Sequence, residues 1–167
     1  GWFHTGDVGE LVDGKFLKIT DRVKEIFKTS GGKYVAPQPI ENKMKESLFI
    51  EQLMVIGESR NFAAALVIPK FDFILDWAKM KKLNISSKED VVNSIDVKNR
   101  IWEDIDKYNE RFGKVQQIKK FALIEDEWST ESGELTPTLK LKRRIIKEKY
   151  QDLFEKIYSE SETKHFL

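Results

Sequence analysis

The chain has 167 residues, 40% of them apolar and 11% aromatic, which is enough for one domain with a real hydrophobic core and too apolar for a disordered segment. Twenty-nine basic residues against twenty-eight acidic ones leave a net charge of +1, so no global field draws in nucleic acid or an anionic membrane, and any anion site must be local. With no cysteine there are no disulfides, thiol nucleophiles or thiolate metal sites; the two isolated histidines, His4 and His165, cannot make a zinc site by themselves.

No apolar run approaches the roughly 20 residues of a membrane span and no signal-peptide pattern opens the chain, so a cytoplasmic protein fits best. The sequence starts at Gly1 without an initiator methionine and runs straight into the dense string GWFHTGD, which leads us to expect a piece cut from something longer.

In chain order, GELVDGKFLKITDR alternates apolar and polar residues around Asp13-Gly14, a pair suited to a tight turn with positive backbone angles, and predicts a β-hairpin. The charged stretch 21–26 reads as a linker, and the Gly31-Gly32 turn between β-capable residues predicts a second hairpin. From Pro37 onward, Ile40, Met44 and Leu48 recur every four residues, with prolines where a helix start tolerates a missing donor, so a short amphipathic helix is predicted. The apolar runs QLMVIGES and AAALVIPK, joined by a short connection, predict neighbouring antiparallel strands of the core sheet. Helical patterns follow in FDFILDWAKMKKL and VKNRIWEDIDKYNERFG, the second with Ile101, Ile105 and Tyr108 on one face and Gly113 as its expected C-cap. IKKFALIED reads as a further strand, WSTESGELTPT as a loop, and the rest as a charged helix from about Leu139 to Tyr158. Antiparallel strands mixed with helices, without a regular βαβ rhythm, predict an α+β domain with a central, mostly antiparallel sheet flanked by helices and preceded by a hairpin.

Three segments combine glycines, charges and hydroxyls more densely than folding requires: GWFHTGD, DRVKEIFKTSGGKYVAP and GELTPTLKLKRR. Alone, each has an ordinary explanation, since a glycine pair makes a turn and a basic terminal helix makes a solvated face. In this order and spacing they resemble the C-terminal motifs of the adenylate-forming enzymes, and of the long-chain fatty acid CoA ligases in particular. The resemblance covers almost the whole chain. It implies an enzyme that makes an acyl adenylate from a fatty acid and Mg-ATP, releases pyrophosphate, and transfers the acyl group to coenzyme A. A rotation of the C-terminal domain separates the two half-reactions.

Carried over by position, the resemblance makes residues 1–20 the edge of an N-terminal AMP-binding domain, 21–26 the hinge, and 27–167 a C-terminal lid domain. Asp7 of HTGD would accept hydrogen bonds from both ribose hydroxyls of the nucleotide, a task suited to an acceptor-only carboxylate. Arg22 would add fixed donors at the ribose or a nearby phosphate. Asp21 and Lys24 fall in the hinge. Gly31, Gly32 and Lys33 resemble the loop lining the pantetheine tunnel in the thioester-forming posture, where glycine lets backbone approach a ligand; KTSGG carries one residue more than shorter family patterns. Lys140 of TPTLK matches the lysine that bridges carboxylate and α-phosphate during adenylation, where an ammonium brought in by domain closure stabilises growing negative charge. Leu139 stands where many relatives carry glycine, as in long-chain members. Lys142, Arg143 and Arg144 read as a solvated helix face.

The family's phosphate-binding loop, adenine pocket, acyl tunnel and Mg2+ ligands all precede GWFHTGD. ATP with Mg2+, coenzyme A, a long-chain fatty acid and the N-terminal domain of the same chain are therefore the implied partners of an intact enzyme, with peripheral membrane association of that parent as a further option. No metal site or nucleic-acid partner is expected in the fragment, and alone it should lack activity. Two other readings compete: a stand-alone module holding phosphate, RNA or a membrane surface on the KLKRR helix, and a structural domain without ligand. Near-neutral charge weighs against the first, and the second leaves Asp7, Arg22 and Lys140 without a common purpose.

Overall fold

A computed structural model describes Thr5 and residues 7–22, 25–159 and 165–167. The expected first hairpin forms from β1 (Asp7–Val12) and β2 (Phe16–Arg22), paired antiparallel with Val12 opposite Phe16. Across its turn the Lys15 N–H donates to Val12 O at 3.1 Å, and both Asp13 (φ 53°) and Gly14 (φ 65°) take left-handed angles, as the Asp-Gly pair requires. A second, very short hairpin pairs β3 (Phe27–Lys28) with β4 (Tyr34–Val35) around the glycine pair.

α1 (Pro37–Met44) follows, then β5 (Ile50–Ile56) and β6 (Ala63–Pro69), antiparallel as expected. Every residue of β6 is buried, the signature of a central strand covered on both faces. The crossover α2 (Phe71–Met80), α3 (Lys88–Asn93) and α4 (Ile95–Asn109) leads to β7 (Ile118–Leu123), which pairs parallel with β6. The sheet order is β5-β6-β7, so the α+β class holds, with one parallel pairing in the core sheet that a long helical crossover makes sterically possible. α5 (Arg143–Lys149) and α6 (Gln151–Ser159) close the fold. No described helix is long and apolar enough to cross a membrane.

Both edges of the core sheet are covered. On the β5 side, the Val55 N–H donates to Glu41 Oε1 of α1 at 2.8 Å. Beside β7, the Phe121 N–H donates to His165 O and the Leu167 N–H to Phe121 O, and the His165 ring stacks on Trp102 at 4.0 Å. Covering free edges removes the unpaired groups that invite association.

Three expectations need correction, and one helix goes beyond them. α1 stops at Met44, and Leu48 is 62% exposed, because the Ser47 hydroxyl captures the Phe49 N–H and bonds Asp104, turning the chain so that Phe49 enters the core instead. α4 ends at Asn109 rather than at Gly113: the buried Asn109 amide accepts from Ile118 N–H and donates to Ile118 O, tying the helix end to β7. The final helix begins at Arg143, not near Leu139, and breaks at Tyr150 (φ −112°, ψ 26°) into α5 and α6. α3 was not anticipated, although Ser87 and Asp90 form the reciprocal capping box that marks a helix start.

Candidate functional site

Lys140 sits at the end of a tight β-loop built by its own motif. The segments on either side meet at a single antiparallel Leu135–Leu141 bridge, and the Lys142 N–H donates to Glu134 O at 2.7 Å. Within the loop, Leu139 N–H donates to Thr136 O and Thr136 N–H to Lys140 O, both at 2.8 Å, while Lys140 N–H donates to Thr136 Oγ1 at 3.0 Å. Pro137 follows Thr136 at the turn position where its fixed φ is favoured, and Leu139 takes a left-handed φ of 58°. That angle explains why glycine suits this position: a leucine there carries a steric cost that glycine does not. The backbone of Lys140 is fixed and its side chain is exposed.

Two anchors hold the loop to the domain. At its base, Glu134 is 1% exposed and accepts from Ser132 Oγ and, at 2.9 Å, from Lys149 Nζ. Burial pushes the Glu134 carboxyl up, but the hydrogen bonds from Ser132 and Lys149 outweigh it and bring it to about 2. The bond to Glu134 in turn holds Lys149 above its ordinary value. On the other side, Arg143 Nη1 and Nη2 donate to Glu41 Oε1 and Oε2, both at 2.8 Å, and Nη2 also reaches Glu25 at 3.4 Å. Burial lowers the Arg143 affinity for its proton, but the charges of Glu41 and Glu25 more than offset it, so the guanidinium titrates above its ordinary value. Arg143 is therefore no solvated residue, in contrast to the expectation; Arg144, 80% exposed and paired with Glu148 one turn on, is one. Lys140, Glu25, Glu41, Asn42 and Arg143 line one cleft of about 160 Å³.

The glycine loop stands among other neighbours. Thr29 N–H donates to Lys33 O at 2.9 Å, Gly32 N–H to Thr29 O at 2.9 Å, and the Thr29 hydroxyl bridges both polar groups of the Lys33 backbone. Ser30 bonds Arg60 O through its N–H and Asn61 Oδ1 through its hydroxyl, fixing the loop to the β5–β6 connection. Gly32 (φ 77°) needs glycine for its backbone; Gly31 has open space where a Cβ would stand. Lys33 is exposed.

Asp7 and Arg22 are register partners in the first hairpin, so the structure brings their backbones together, and Asp21 pairs with Val8 one step along. Lys24 and His4 lie outside the described residues.

The profile of the AMP-binding enzyme C-terminal domain matches residues 24–162, most of the chain. The chain belongs to this family. As a member it is 36% identical over 162 residues to long-chain-fatty-acid-CoA ligase 1 of Cavia porcellus, a match spanning 95% of this chain and 23% of that protein. Its identity to long-chain-fatty-acid-CoA ligase FadD15 of Mycobacterium tuberculosis is 34% over 160 residues, 95% of this chain and 27% of that one. The chain thus spans about a quarter of the length of these relatives. Among solved structures, the adenylation domain of a carboxylate reductase from Mycobacterium chelonae superposes with a TM-score of 0.77 at 26% identity, covering 95% of this chain and 23% of that one. The A domain of the Segniliparus rugosus carboxylic acid reductase, solved with AMP and a co-purified carboxylic acid, gives 0.75 at 25% identity, covering 93% and 23%. The AMP-binding C-terminal domain match begins at residue 24, just after β2 ends at Arg22, so the first hairpin precedes it.

Sequence reading missed Arg143, Glu41 and Glu25 as members of the Lys140 surroundings. Glu41 carried a signal, an acid between Ile40 and Met44 on the apolar side of a helix; Arg143 carried none that set it apart from Lys142 and Arg144.

Proposed function

We propose that this chain is the C-terminal lid domain of an ATP-dependent long-chain fatty acid:CoA ligase. The observation that carries this reading is 36% identity along 95% of the chain to ligases of that name. Residues 1–20 are then the edge of the preceding AMP-binding domain, 21–26 the hinge with Asp21 and Lys24, and 27–167 the lid.

In the first half-reaction the fatty acid carboxylate attacks the α-phosphate of Mg-ATP, which enters as substrate, and pyrophosphate leaves. Lys140 supplies a compact positive charge between the two reacting anions; its braced backbone and exposed side chain support this role, since they leave the ammonium accessible to an anion brought in by domain closure. Asp7 accepts from the ribose hydroxyls and Arg22 donates beside it, a pairing supported by their register. In the second half-reaction the thiol of coenzyme A attacks the acyl carbon and AMP leaves; the Gly31–Gly32 loop with Lys33 lines the pantetheine path, supported by the open space at Gly31. The work is cytoplasmic, with any membrane contact of the parent peripheral.

The basic C-terminal helices favour no phosphate- or RNA-binding module. Arg143 is paired with Glu41, Arg144 with Glu148, Lys147 with Glu58 and Lys149 with Glu134 and Asp126. The test is product analysis: the full-length ligase given palmitate, Mg-ATP and coenzyme A yields palmitoyl-CoA, AMP and pyrophosphate in equal amounts. Release of ADP and phosphate instead contradicts the reading.

A further inference from the structure

Glu134 is the point at which three segments around the Lys140 loop meet. Its carbonyl accepts from the Lys142 N–H at 2.7 Å, which closes the loop on the outgoing side. Its carboxylate takes the Ser132 hydroxyl on Oε2 and, at 2.9 Å on Oε1, the ammonium of Lys149, the last residue of α5. The turn that supplies Ser132 is itself closed: the Ser132 N–H donates to Ser129 Oγ and the Leu135 N–H to Ser129 O, both at 3.0 Å. Lys149 also reaches Asp126 Oδ2 at 3.2 Å, so one ammonium ties the segment after β7 to the base of the loop.

The two ends of the central pair differ in exposure, with the Glu134 side chain 1% exposed and that of Lys149 39%. Enclosing a carboxylate costs desolvation, and a well-packed apolar pair could hold a loop base to a helix equally firmly. What the charged pair adds is direction, because each of its bonds fixes an angle as well as a distance. That direction reaches Lys140 in two steps. Thr136, two residues beyond Glu134, accepts the Lys140 N–H on its hydroxyl at 3.0 Å and gives its own N–H to Lys140 O at 2.8 Å. A shift of Glu134 therefore passes to Thr136 and from there to the backbone that carries the Lys140 side chain.

We infer that Glu134 is a positioning residue for Lys140 in adenylation, with Lys149 as the group that holds Glu134 in register. The inference rests on the ligase reading above and adds to it the support that aims the lysine. Glu134, almost wholly enclosed, touches no reacting atom and acts through the loop backbone. Lys149 acts through Glu134.

The test is a double-mutant cycle in the full-length ligase with Glu134→Gln, Lys149→Met and the two combined, each assayed well below its own melting temperature. Adenylation is read by palmitate-dependent exchange of pyrophosphate into ATP, and thioester formation separately from preformed palmitoyl adenylate and coenzyme A. The kcat for exchange should fall by about tenfold in either single variant, the scale of a small misplacement of a reacting group, with KM for ATP and palmitate and the rate of thioester formation unchanged. The double variant should lose no more than the singles, since both remove one interaction, and Lys149→Arg, which keeps the pair, should exchange at close to the wild-type rate. A folded Glu134→Gln enzyme with unchanged exchange and only a lower melting temperature makes the pair purely structural and overturns the inference. Equal loss of both half-reactions, or losses that multiply in the double variant, overturn it as well, and all three leave the ligase reading intact. A wild-type enzyme that exchanges no pyrophosphate overturns the ligase reading, and the inference falls with it.

Discussion

Asp7 and Arg22 stand opposite each other in the ladder between β1 and β2, fifteen residues apart in sequence and partners in space. If both serve the nucleotide, their loss has a common symptom. Asp7→Ala in the full-length ligase should raise the KM for ATP by about tenfold or more, the cost of hydrogen bonds to a charged group, while the KM for palmitate stays put. Steady-state kinetics with each substrate varied checks this; a palmitate effect of equal size would place Asp7 elsewhere.

Leu139 occupies a left-handed φ of 58° with its side chain 72% exposed, so its removal loses little packing. Leu139→Gly is expected to leave stability unchanged or raise it by up to about 1 kcal/mol, and Leu139→Val to lower it by about 1–2 kcal/mol, since branching at Cβ worsens the same clash. Urea unfolding of the three proteins measures both; destabilisation by glycine larger than by valine would refute the strain assignment.

Glu134 gives the stability a pH dependence of known sign. Its carboxyl ionises near 2 in the folded protein and near 4.5 when unfolded, so the unfolded state binds the proton more tightly. The stabilisation is fully present above pH 4.5 and is lost as the pH falls toward 2. Unfolding of the wild type and of Glu134→Gln should differ most at neutral pH and converge in acid. A constant difference from pH 6 to pH 2.5 would mean that Glu134 has no depressed ionisation.

The first hairpin exposes Leu17 by 68%, Leu11 by 70% and Ile19 by 55%, and Leu11 and Leu17 are register partners. Apolar residues adjacent across a ladder form a patch that water covers poorly. The 167-residue chain alone should therefore self-associate weakly, and Leu17→Lys should reduce this. Sedimentation velocity at rising concentration decides, and a strictly monomeric wild type would contradict the expectation.

Much of this was legible from residue order. The Asp13-Gly14 turn, the paired runs of β5 and β6 and the apolar face of α4 are local signals, carried by neighbours within a few positions. What escaped depends on distant partners. Asn109 cuts α4 short by bonding Ile118, Ser47 diverts Leu48 by reaching Asp104, and β7 runs parallel to β6 because three helices return the chain to the same end. The motif strings located Lys140 and the glycine loop, but the Arg143–Glu41 pair joins residues 102 positions apart and left no periodicity to read. The left-handed angle at Leu139 was likewise invisible in the residue itself, since a side chain beyond glycine disfavours that angle.

The central claim is that Lys140 serves adenylation and not acyl transfer. Lys140→Ala in the full-length ligase, assayed for palmitate-dependent pyrophosphate exchange and separately for thioester formation from palmitoyl adenylate, tests it directly. We predict that exchange falls by about 100-fold or more, the cost of removing one charge that stabilises a transition state, with transfer to coenzyme A within about threefold of wild type. Unchanged exchange, or equal loss of both steps, would contradict the assignment of Lys140.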